Sequence, residues 1–234
     1  MNRVVLRARL GAVLFDLDGT LIDSAPDLAG ACNDMRAARG LAPLPFERLR
    51  AMVGSGARGM VGTGFAVGPD DEGYIELREE FLRRYELRMT NETQVFPAIA
   101  QLLARLAADA IPWGIVTNKA ERFAEPLIAA LGLADAAGAI VCGDTTPHSK
   151  PHPAPLLEAA RRMGVSPARC VYVGDDRRDV DAGRAAGMAT VVAAWGYLGA
   201  GDPPAAWGAD AIIDNPGELF ALFDGRGLPI GPVP

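Results

Sequence analysis

The chain has 234 residues, half of them apolar and 22% charged, a balance typical of one large or two small globular domains. Its net charge of −6 argues against broad attraction to nucleic acid or to an anionic membrane, although a local cationic pocket for an anion is compatible with it. No segment has the run of about 18 apolar residues that a membrane span needs, and the N-terminus lacks a signal peptide's hydrophobic stretch, so we expect a cytoplasmic protein. The three cysteines are widely separated and predict neither a zinc site nor a disulfide framework.

Short, continuously apolar runs alternate with helical patterns along most of the chain. Six of these runs predict buried strands, at 11–16, 113–117, 139–142, 170–174, 189–193 and 211–213. Because continuous hydrophobicity suits strands that are covered on both faces, the runs predict a parallel sheet. Their alternation with helices predicts a doubly wound, Rossmann-like α/β domain.

The segment between about Ser24 and Thr90 departs from this alternation, because it contains helical patterns only. Apolar residues share one helical face over 28–35 and another over 74–85. We therefore predict a discontinuous core domain over residues 1–22 and 91–234. A smaller helical domain over residues 23–90 is then inserted after the first strand.

The densest chemical signal is the sequence Asp16-Leu-Asp18-Gly19-Thr20, directly after the first predicted strand. Ligands of open α/β sheets bind at the carboxyl ends of the strands. Two carboxylates at positions i and i+2 of an extended segment point the same way, and their repulsion favours a cation between them or a proton on one. Gly19 permits the sharp turn needed there. An acidic turn without function is the alternative interpretation, since Asp-Gly is a common turn dipeptide.

Three further strand ends carry polar groups. Thr117 and Asn118 end the second strand and offer a hydroxyl and an amide to phosphate oxygens. Lys150 lies in the loop after the third strand. The fourth strand ends in Asp175 and Asp176, carboxylates of the kind that hold Mg²⁺. Each signal alone has an ordinary structural explanation, but all four fall on one edge of one predicted sheet.

This ordered set resembles the four motifs of the haloacid dehalogenase superfamily of phosphatases. The matching residues are Asp16-x-Asp18-Gly-Thr20, Thr117-Asn118, Lys150 and Gly174-Asp175-Asp176-x-x-Asp179. The resemblance spans the whole chain, and the helical insertion is similar to the cap of the phosphoglycolate-phosphatase-like branch. It implies an α/β core with a helical cap that selects the substrate.

The resemblance also implies a role for each motif residue. Asp16 is the expected nucleophile and Asp18 the expected general acid and base. Gly19, Thr117, Asn118 and Lys150 are expected at the phosphate. Mg²⁺ is the expected cofactor, bound by Asp16, the Asp18 carbonyl and Asp175, with Asp176 and Asp179 close by. Phosphoryl transfer depends mainly on positioning and on stabilising negative charge, which suits these residue types.

Within the predicted cap, the stretch from Val53 to Gly59 contains a literal GxGxxG pattern. The pattern is typical of dinucleotide sites only when it follows a buried strand, and here a charged helical segment precedes it. We interpret the stretch as a loop facing the active site, with Ser55, Gly56 and Arg58 available to the substrate. The alternative is a surface helix start with Arg58 in solvent.

Several stretches resemble a narrower group, the N-acetylmuramic acid 6-phosphate phosphatases of bacterial cell-wall recycling. They are Gly54-Ser-Gly-Ala-Arg58, Gly64-Phe-Ala66, Arg122-Phe-Ala-Glu-Pro126, the pair Asp175-Asp176, Trp195-Gly-Tyr197 and Trp207-Gly-Ala-Asp210. This resemblance implies a small phosphorylated metabolite as the partner, with the amino-sugar phosphate first and 2-phosphoglycolate as the alternative. It leaves the oligomeric state open.

Two other classes of protein are consistent with part of the pattern. A non-catalytic phospho-receiver also gathers Asp, Thr and Lys on an α/β sheet, but its acidic pair lies on the first strand, whereas here it lies on the fourth. A dehalogenase has no need of an acid at position 18, whereas a phosphomutase of the same superfamily would keep it. Release of free phosphate distinguishes a phosphatase from that mutase.

Overall fold

A computed structural model describes residues 10–199 and 201–223 of the chain. Over these residues it contains eight strands: β1 (Ala12–Phe15), β2 (Ile22–Asp23), β3 (Gln94–Val95), β4 (Trp113–Val116), β5 (Ile140–Val141), β6 (Cys170–Gly174), β7 (Ala189–Ala193) and β8 (Ala211–Ile213). Nine α-helices lie in the same ranges: α1 (Ala25–Ala37), α2 (Phe46–Arg50), α3 (Gly56–Phe65), α4 (Tyr74–Glu86), α5 (Pro97–Ala108), α6 (Glu121–Ala130), α7 (Ala154–Arg162), α8 (Arg177–Ala185) and α9 (Glu218–Phe223).

Six strands form one parallel sheet in the order β5-β4-β1-β6-β7-β8. The chain runs outward from β1 through β4 to β5, then returns past β1 to build β6, β7 and β8 on its other side. The strand order therefore reverses beside β1. In open α/β sheets this switch point opens a crevice at the carboxyl ends of the strands, which is where ligands bind.

Helices cover both faces of this sheet. Successive β1 residues enter opposite hydrophobic clusters, Val13 and Phe15 on one face and Ala12 and Leu14 on the other. Helices α5, α6 and α9 pack on the first face, and α7 and α8 pack on the second. Because every β1 side chain is buried, the strand reads as a continuous apolar run, and the prediction of a doubly wound parallel sheet is confirmed.

The six predicted strands are the six strands of the sheet, each within its predicted range. The short pair β2–β3 was missed, because two residues per strand carry no readable pattern. These strands pair antiparallel, Ile22 with Val95 and Asp23 with Gln94, where the chain leaves the sheet region and returns to it. Asp27 joins the same two segments, accepting hydrogen bonds from the backbone N–H groups of Glu92 and Thr93 at 3.0 and 2.8 Å.

Between these crossings, helices α1 to α4 form most of a second apolar cluster, which Phe123 and Tyr197 of the sheet region join. Its largest fully buried members are Met35, Leu49, Met60, Phe81 and Tyr85. We call these four helices, residues 25–86, the helical region. The predicted domain boundaries at 22/23 and 90/91 lie beside the two crossings and stay a prediction, and residues 1–9, 200 and 224–234 of the predicted core lie outside the described ranges.

The interpretation of 53–59 as a loop is wrong. Val53–Ser55 form one 3-10 turn, and helix α3 begins at Gly56, so the GxGxxG pattern spans a turn and the start of a helix. The small side chains allow close packing here, where a Cβ at Gly59 would meet the side chain of Ser55 and the carbonyl of Met52. In the described ranges, no helix combines the length and the apolar character needed to cross a membrane.

Candidate active site

A cavity of about 630 Å³ opens at the carboxyl ends of β1, β4 and β6 and is closed on the other side by the helical region. From the sheet edge it is lined by Asp16, Asp18, Thr117, Asn118, Lys119, Lys150, Asp175, Asp176, Arg178 and Asp179. From the helical region it is lined by Leu28, Val53, Gly54, Ser55, Gly56, Ala57, Arg78, Phe81, Leu82 and Tyr85. The four predicted strand-end signals therefore do meet at one place.

Lys150 lies at the centre of the polar groups, with its side chain only 3% exposed. Its Nζ contacts Asp16 Oδ1 at 2.9 Å and Asp179 Oδ1 at 2.7 Å, and it donates to the Tyr172 hydroxyl at 2.7 Å. Burial alone would lower the pKa of Lys150, but the attraction of Asp16 and Asp179 outweighs it and raises the pKa. The ammonium therefore stays charged and fixes the position of Asp16.

Asp16 presents one oxygen to the cavity. Its Oδ1 accepts from the Leu17 backbone N–H at 2.7 Å and contacts Lys150, whereas Oδ2 has no partner within the described residues. Burial raises the pKa of Asp16 to about 7, with Lys150 opposing and Asp179 adding to the rise. A second cation beside Asp16 would favour its ionised form, which is the form a nucleophile needs.

Asp16, Asp175 and Asp179 each bring a carboxylate oxygen within 4.8 Å of the other two. Burial, followed by the charges of Asp16 and Asp179, raises the pKa of Asp175 well above its usual range. Two buried carboxylates, the partly buried carboxylate of Asp16 and one ammonium leave an excess of negative charge. Hard oxygen ligands in that arrangement fit a divalent cation such as Mg²⁺. Asp179, expected only near the metal, belongs to this cluster, whereas the carboxylate of Asp18 does not.

One side chain and one backbone N–H from other parts of the chain orient Asp175. Thr20 donates from Oγ1 to Asp175 Oδ1 at 2.8 Å, and the Tyr197 backbone N–H donates to Oδ2 at 2.8 Å. Gly19 is required beside them, because its φ is +83° and a Cβ there would collide with the Asp175 carboxylate. Gly19 does not line the cavity, so its contribution to the site is to leave room for the Asp175 carboxylate.

Asp18 is held by a cation that the sequence did not single out. Lys119 Nζ lies 3.0 Å from both carboxylate oxygens of Asp18, and the Ser24 hydroxyl donates to Oδ1. Burial would lower the pKa of Lys119, but Asp18 outweighs it and raises the pKa. The ammonium also lies over the ring of Tyr85 in the helical region, 4.8 Å from its centroid.

Asp176 belongs to a contact between the two sides of the cavity rather than to the carboxylate cluster. It caps helix α8, accepting from the Arg178 backbone N–H at 2.8 Å, and it pairs with the Arg178 guanidinium at 2.8 Å. Burial would raise the pKa of Asp176, but the bonds to Arg178 outweigh it and lower the pKa. Arg178 also donates to the carbonyl of Gly54 across the cavity mouth.

Thr117 and Asn118 differ in the hydrogen bonds that their side chains already make within the protein. Thr117 is buried at the end of β4, where its hydroxyl accepts from the Lys119 backbone N–H at 3.1 Å. Asn118 donates from Nδ2 to the Lys150 carbonyl and accepts from the Lys150 N–H, both at 2.9 Å. The amide of Asn118 therefore holds the Lys150 backbone in place.

The predicted substrate residues of the helical region are only partly brought to the cavity. Ser55 and Gly56 line it, at the junction of the 3-10 turn and helix α3. Arg58 is exposed and does not line it. Helix direction explains the difference, because Arg58 is two residues beyond Gly56 and so lies on another side of α3.

Four side chains of the site escaped prediction: Lys119, Tyr172, Arg178 and Tyr197. Lys119 follows Asn118 directly, so its position was available, but its partner Asp18 is 101 residues away in sequence. Tyr172 lies inside a strand that is apolar throughout, and only the tertiary structure brings its hydroxyl to Lys150. Tyr197 lies in one of the stretches that carry the narrower family resemblance, but its backbone contact with Asp175 is 22 residues away in sequence.

The sequence model that describes haloacid dehalogenase-like hydrolases matches residues 13–193, which include every motif position discussed above. The chain belongs to this family. Hydrolases of this family that act as phosphatases generally use Mg²⁺, in keeping with the carboxylate cluster.

Curated relatives of this hydrolase bear two names at almost the same identity. It is 44% identical to the N-acetylmuramic acid 6-phosphate phosphatase of Pseudomonas putida, over 92% of the chain and 97% of that protein. It is 45% identical to the phosphoglycolate phosphatase of Xanthomonas campestris, over 89% of the chain and 94% of that protein. Among solved structures, a predicted phosphoglycolate phosphatase from Haemophilus somnus is 26% identical, covers 92% of this chain and 98% of its own, and has a TM-score of 0.80.

Proposed function

We propose that this hydrolase removes phosphate from a small phosphomonoester through an aspartyl-phosphate intermediate on Asp16, with Mg²⁺ as its cofactor. The observation that carries the proposal is the position of Asp16. Asp16 lines the cavity, Lys150 holds one of its carboxylate oxygens at 2.9 Å, and Asp175 and Asp179 each bring a carboxylate oxygen within 4.8 Å of an Asp16 oxygen. The arrangement joins a nucleophile to a cationic anchor and a place for a cation.

In the first step, Asp16 Oδ2 attacks phosphorus, the bond from phosphorus to the ester oxygen breaks, and Asp18 gives that oxygen a proton. In the second step, Asp18 takes a proton from water, and the water oxygen attacks the phosphorus of the phosphoaspartate. The bond from phosphorus to Asp16 Oδ2 breaks, which restores the Asp16 carboxylate and releases inorganic phosphate. Lys150 and the Thr117 hydroxyl stabilise the negative charge on the phosphate oxygens. Lys119 sets the direction of the Asp18 carboxylate from 3.0 Å away.

Asp16, the Asp18 carbonyl and Asp175 would hold the Mg²⁺, with Asp179 beside them. When bound, the ion neutralises charge on the phosphate and on Asp16, which otherwise repel each other. Asp179 already pairs with Lys150 at 2.7 Å, so it has a second task in the site whether or not it is a ligand.

We propose N-acetylmuramic acid 6-phosphate as the substrate, with 2-phosphoglycolate as the alternative. The names of relatives at 44% and 45% identity do not separate the two. The cavity favours the amino-sugar phosphate, because about 630 Å³ lies in the range of pockets that take drug-sized ligands. Phosphoglycolate, with two carbons, would leave most of that space to water.

The phosphate group is expected at the sheet edge, so the lining from the helical region is available to the rest of the substrate. We therefore propose that residues 23–90 form a cap domain that selects the substrate, over a core domain of residues 1–22 and 91–234. The division is supported by the second apolar cluster, most of whose members lie in the helical region.

The experiment that tests the function is free-phosphate release by the purified protein, with each of the two substrates, in Mg²⁺ and in EDTA. We expect release from the amino-sugar phosphate at a higher kcat/KM than from phosphoglycolate, lost in EDTA and restored by Mg²⁺. A preference for phosphoglycolate would reverse the choice of substrate. Transfer of phosphate to a second sugar without release would identify a phosphomutase, and absence of any Mg²⁺-dependent reaction would contradict the function itself.

A further inference from the structure

One polar atom in the cavity wall has no partner. Tyr85 belongs to helix α4, is 2% exposed and lines the cavity. Over the described residues, its hydroxyl oxygen is the single buried side-chain nitrogen or oxygen atom without a hydrogen bond. A buried hydroxyl left unpaired destabilises the folded state, and phenylalanine at the same position would avoid that cost.

The neighbours of Tyr85 explain why the protein itself does not satisfy the hydroxyl. The ring is parallel to that of Phe81, with an angle of 4° between the planes, and tilted against that of Phe123 at a centroid distance of 5.8 Å. The Lys119 ammonium lies over the ring face and interacts with the Tyr85 hydroxyl, but the hydrogen bonds it makes within the described residues go to the two oxygens of Asp18, at 3.0 Å. Burial raises the pKa of the Tyr85 hydroxyl, so it stays protonated and able to donate.

Tyr85 is part of a larger aromatic surface, which we call the aromatic wall. Phe81, Tyr85 and Phe123 all line the cavity and present aromatic surface to it. Lys119 links this aromatic wall directly to Asp18, the residue proposed to protonate the leaving group. The wall therefore lies on the leaving-group side of the phosphate. An aromatic surface with one free hydroxyl suits a ring that has an apolar face and polar substituents, as a sugar has.

We infer that Tyr85 is a specificity-determining residue, whose hydroxyl bonds to a hydroxyl or amide substituent of a sugar ring packed on this aromatic wall. The inference rests on the proposed phosphatase function and deepens it, because it selects sugar phosphates as the substrate class. A bound sugar completes the hydrogen bonding of Tyr85, whereas phosphoglycolate has no ring to pack on the wall.

Tyr85→Phe tests the contact, and Tyr74→Phe is the matched control. Tyr74 is a buried tyrosine at the start of the same helix, and it does not line the cavity. We expect Tyr85→Phe to lower kcat/KM for N-acetylmuramic acid 6-phosphate about 5- to 50-fold relative to that for ethyl phosphate, which has no substituent for the hydroxyl to bind. Tyr74→Phe should leave this ratio within about twofold of wild type.

The unfolding temperature of the free protein separates a substrate contact from a structural one. Because the hydroxyl is unpaired, Tyr85→Phe should unfold at the wild-type temperature or above it. A clear fall would mean that the hydroxyl has a structural partner. Such a fall, or an unchanged ratio of kcat/KM values, would overturn the inference.

Binding of unphosphorylated N-acetylmuramic acid, measured by calorimetry, tests the contact without turnover. Its Kd should rise about 5- to 50-fold in Tyr85→Phe and less than twofold in Tyr74→Phe. No binding to the wild type, or equal binding to the wild type and Tyr85→Phe, would overturn the inference. If the sugar binds as expected but no ester releases phosphate, the contact stands and the proposed phosphatase function fails.

Discussion

The two sides of the cavity are built in different ways. On the sheet side, the polar groups are buried and bonded to one another. Lys150 contacts Asp16, Asp179 and Tyr172, and Thr20 and Tyr197 orient Asp175. On the helical side, the lining combines aromatic and aliphatic residues with a few polar groups such as Ser55 and Arg78, and the buried hydroxyl of Tyr85 is unpaired.

This difference indicates a division of labour. A network of buried, mutually bonded charges is preorganised for one task, here the stabilisation of a transferring phosphate. A lining with few polar groups, one of them unpaired, is complementary to a ligand that carries its own hydrogen-bonding groups. Substitutions on the sheet side should therefore reduce turnover of every phosphate ester, whereas those on the helical side should change the preference among esters.

The largest effect is expected for Asp16→Asn. An amide cannot take the place of the nucleophilic carboxylate, so kcat should fall by about 10³-fold or more for every ester. Asp179 still pairs with Lys150 at 2.7 Å, so the variant should fold and unfold within a few degrees of wild type. Asp181→Asn is the control, because Asp181 pairs only with exposed Arg177 on helix α8. Full turnover by Asp16→Asn would contradict the role of Asp16 as the nucleophile and with it the catalytic role of the sheet side.

A smaller and more selective loss is expected for Lys119→Met. The variant removes the cation that holds both Asp18 oxygens at 3.0 Å, so proton delivery to the leaving oxygen should slow by about 10- to 100-fold. The loss should be much smaller with 4-nitrophenyl phosphate, whose leaving group needs no proton. Phosphate release from both esters measures it, and Lys119→Arg should retain more activity than Lys119→Met. An equal loss with both esters would assign Lys119 to phosphate binding instead.

Arg178→Ala should act on substrate binding more than on chemistry. Arg178 joins the two sides by donating to the Gly54 carbonyl while it pairs with Asp176. Its removal loosens the cavity mouth, so we expect KM to rise about 3- to 10-fold with a smaller change in kcat. Arg177→Ala on the same helix is the control, since Arg177 pairs with exposed Asp202. A large fall in kcat with constant KM would contradict this role.

The smallest effects are expected on helix α3 and the turn before it. Ser55→Ala should raise KM by about 2- to 5-fold, because Ser55 lines the cavity. Arg58→Ala should change kcat and KM by less than about twofold, because Arg58 is exposed and outside the lining. Steady-state kinetics with the amino-sugar phosphate measure both. If Arg58→Ala has the larger effect, Arg58 turns towards the cavity when the substrate binds.

The sheet side was predictable to an unusual extent because its residues follow strands. Asp16, Thr117 and Asp175 each come directly after a run of buried apolar residues, and parallel strands place their carboxyl ends on one edge. Lys150 could be placed at the same edge because its loop follows the third predicted strand. The detailed contacts did not follow, since Tyr172 bonds to Lys150 and to the Val116 carbonyl, and Lys119 bonds to Asp18, all of them distant in sequence.

The helical side was predicted less well, because an α-helix places its residues around an axis. The stretch from Val53 to Gly59 was interpreted as a loop, and its three glycines hid the start of helix α3. Arg58 was expected at the substrate but is exposed, whereas Tyr85 was expected only on an apolar helical face and lines the cavity. Periodicity identifies a buried face but not which buried residue borders a cavity.

The sequence alone therefore determined the class of fold, the order of the strands along the chain and most of the polar groups at the sheet edge. Alternating strand and helix patterns are local, and each can be recognised without knowledge of its neighbours. Only the tertiary structure decided which carboxylates cluster, which cation holds Asp18 and which hydroxyl is left unpaired. These depend on distances between side chains from separate elements, which packing sets and no local pattern records.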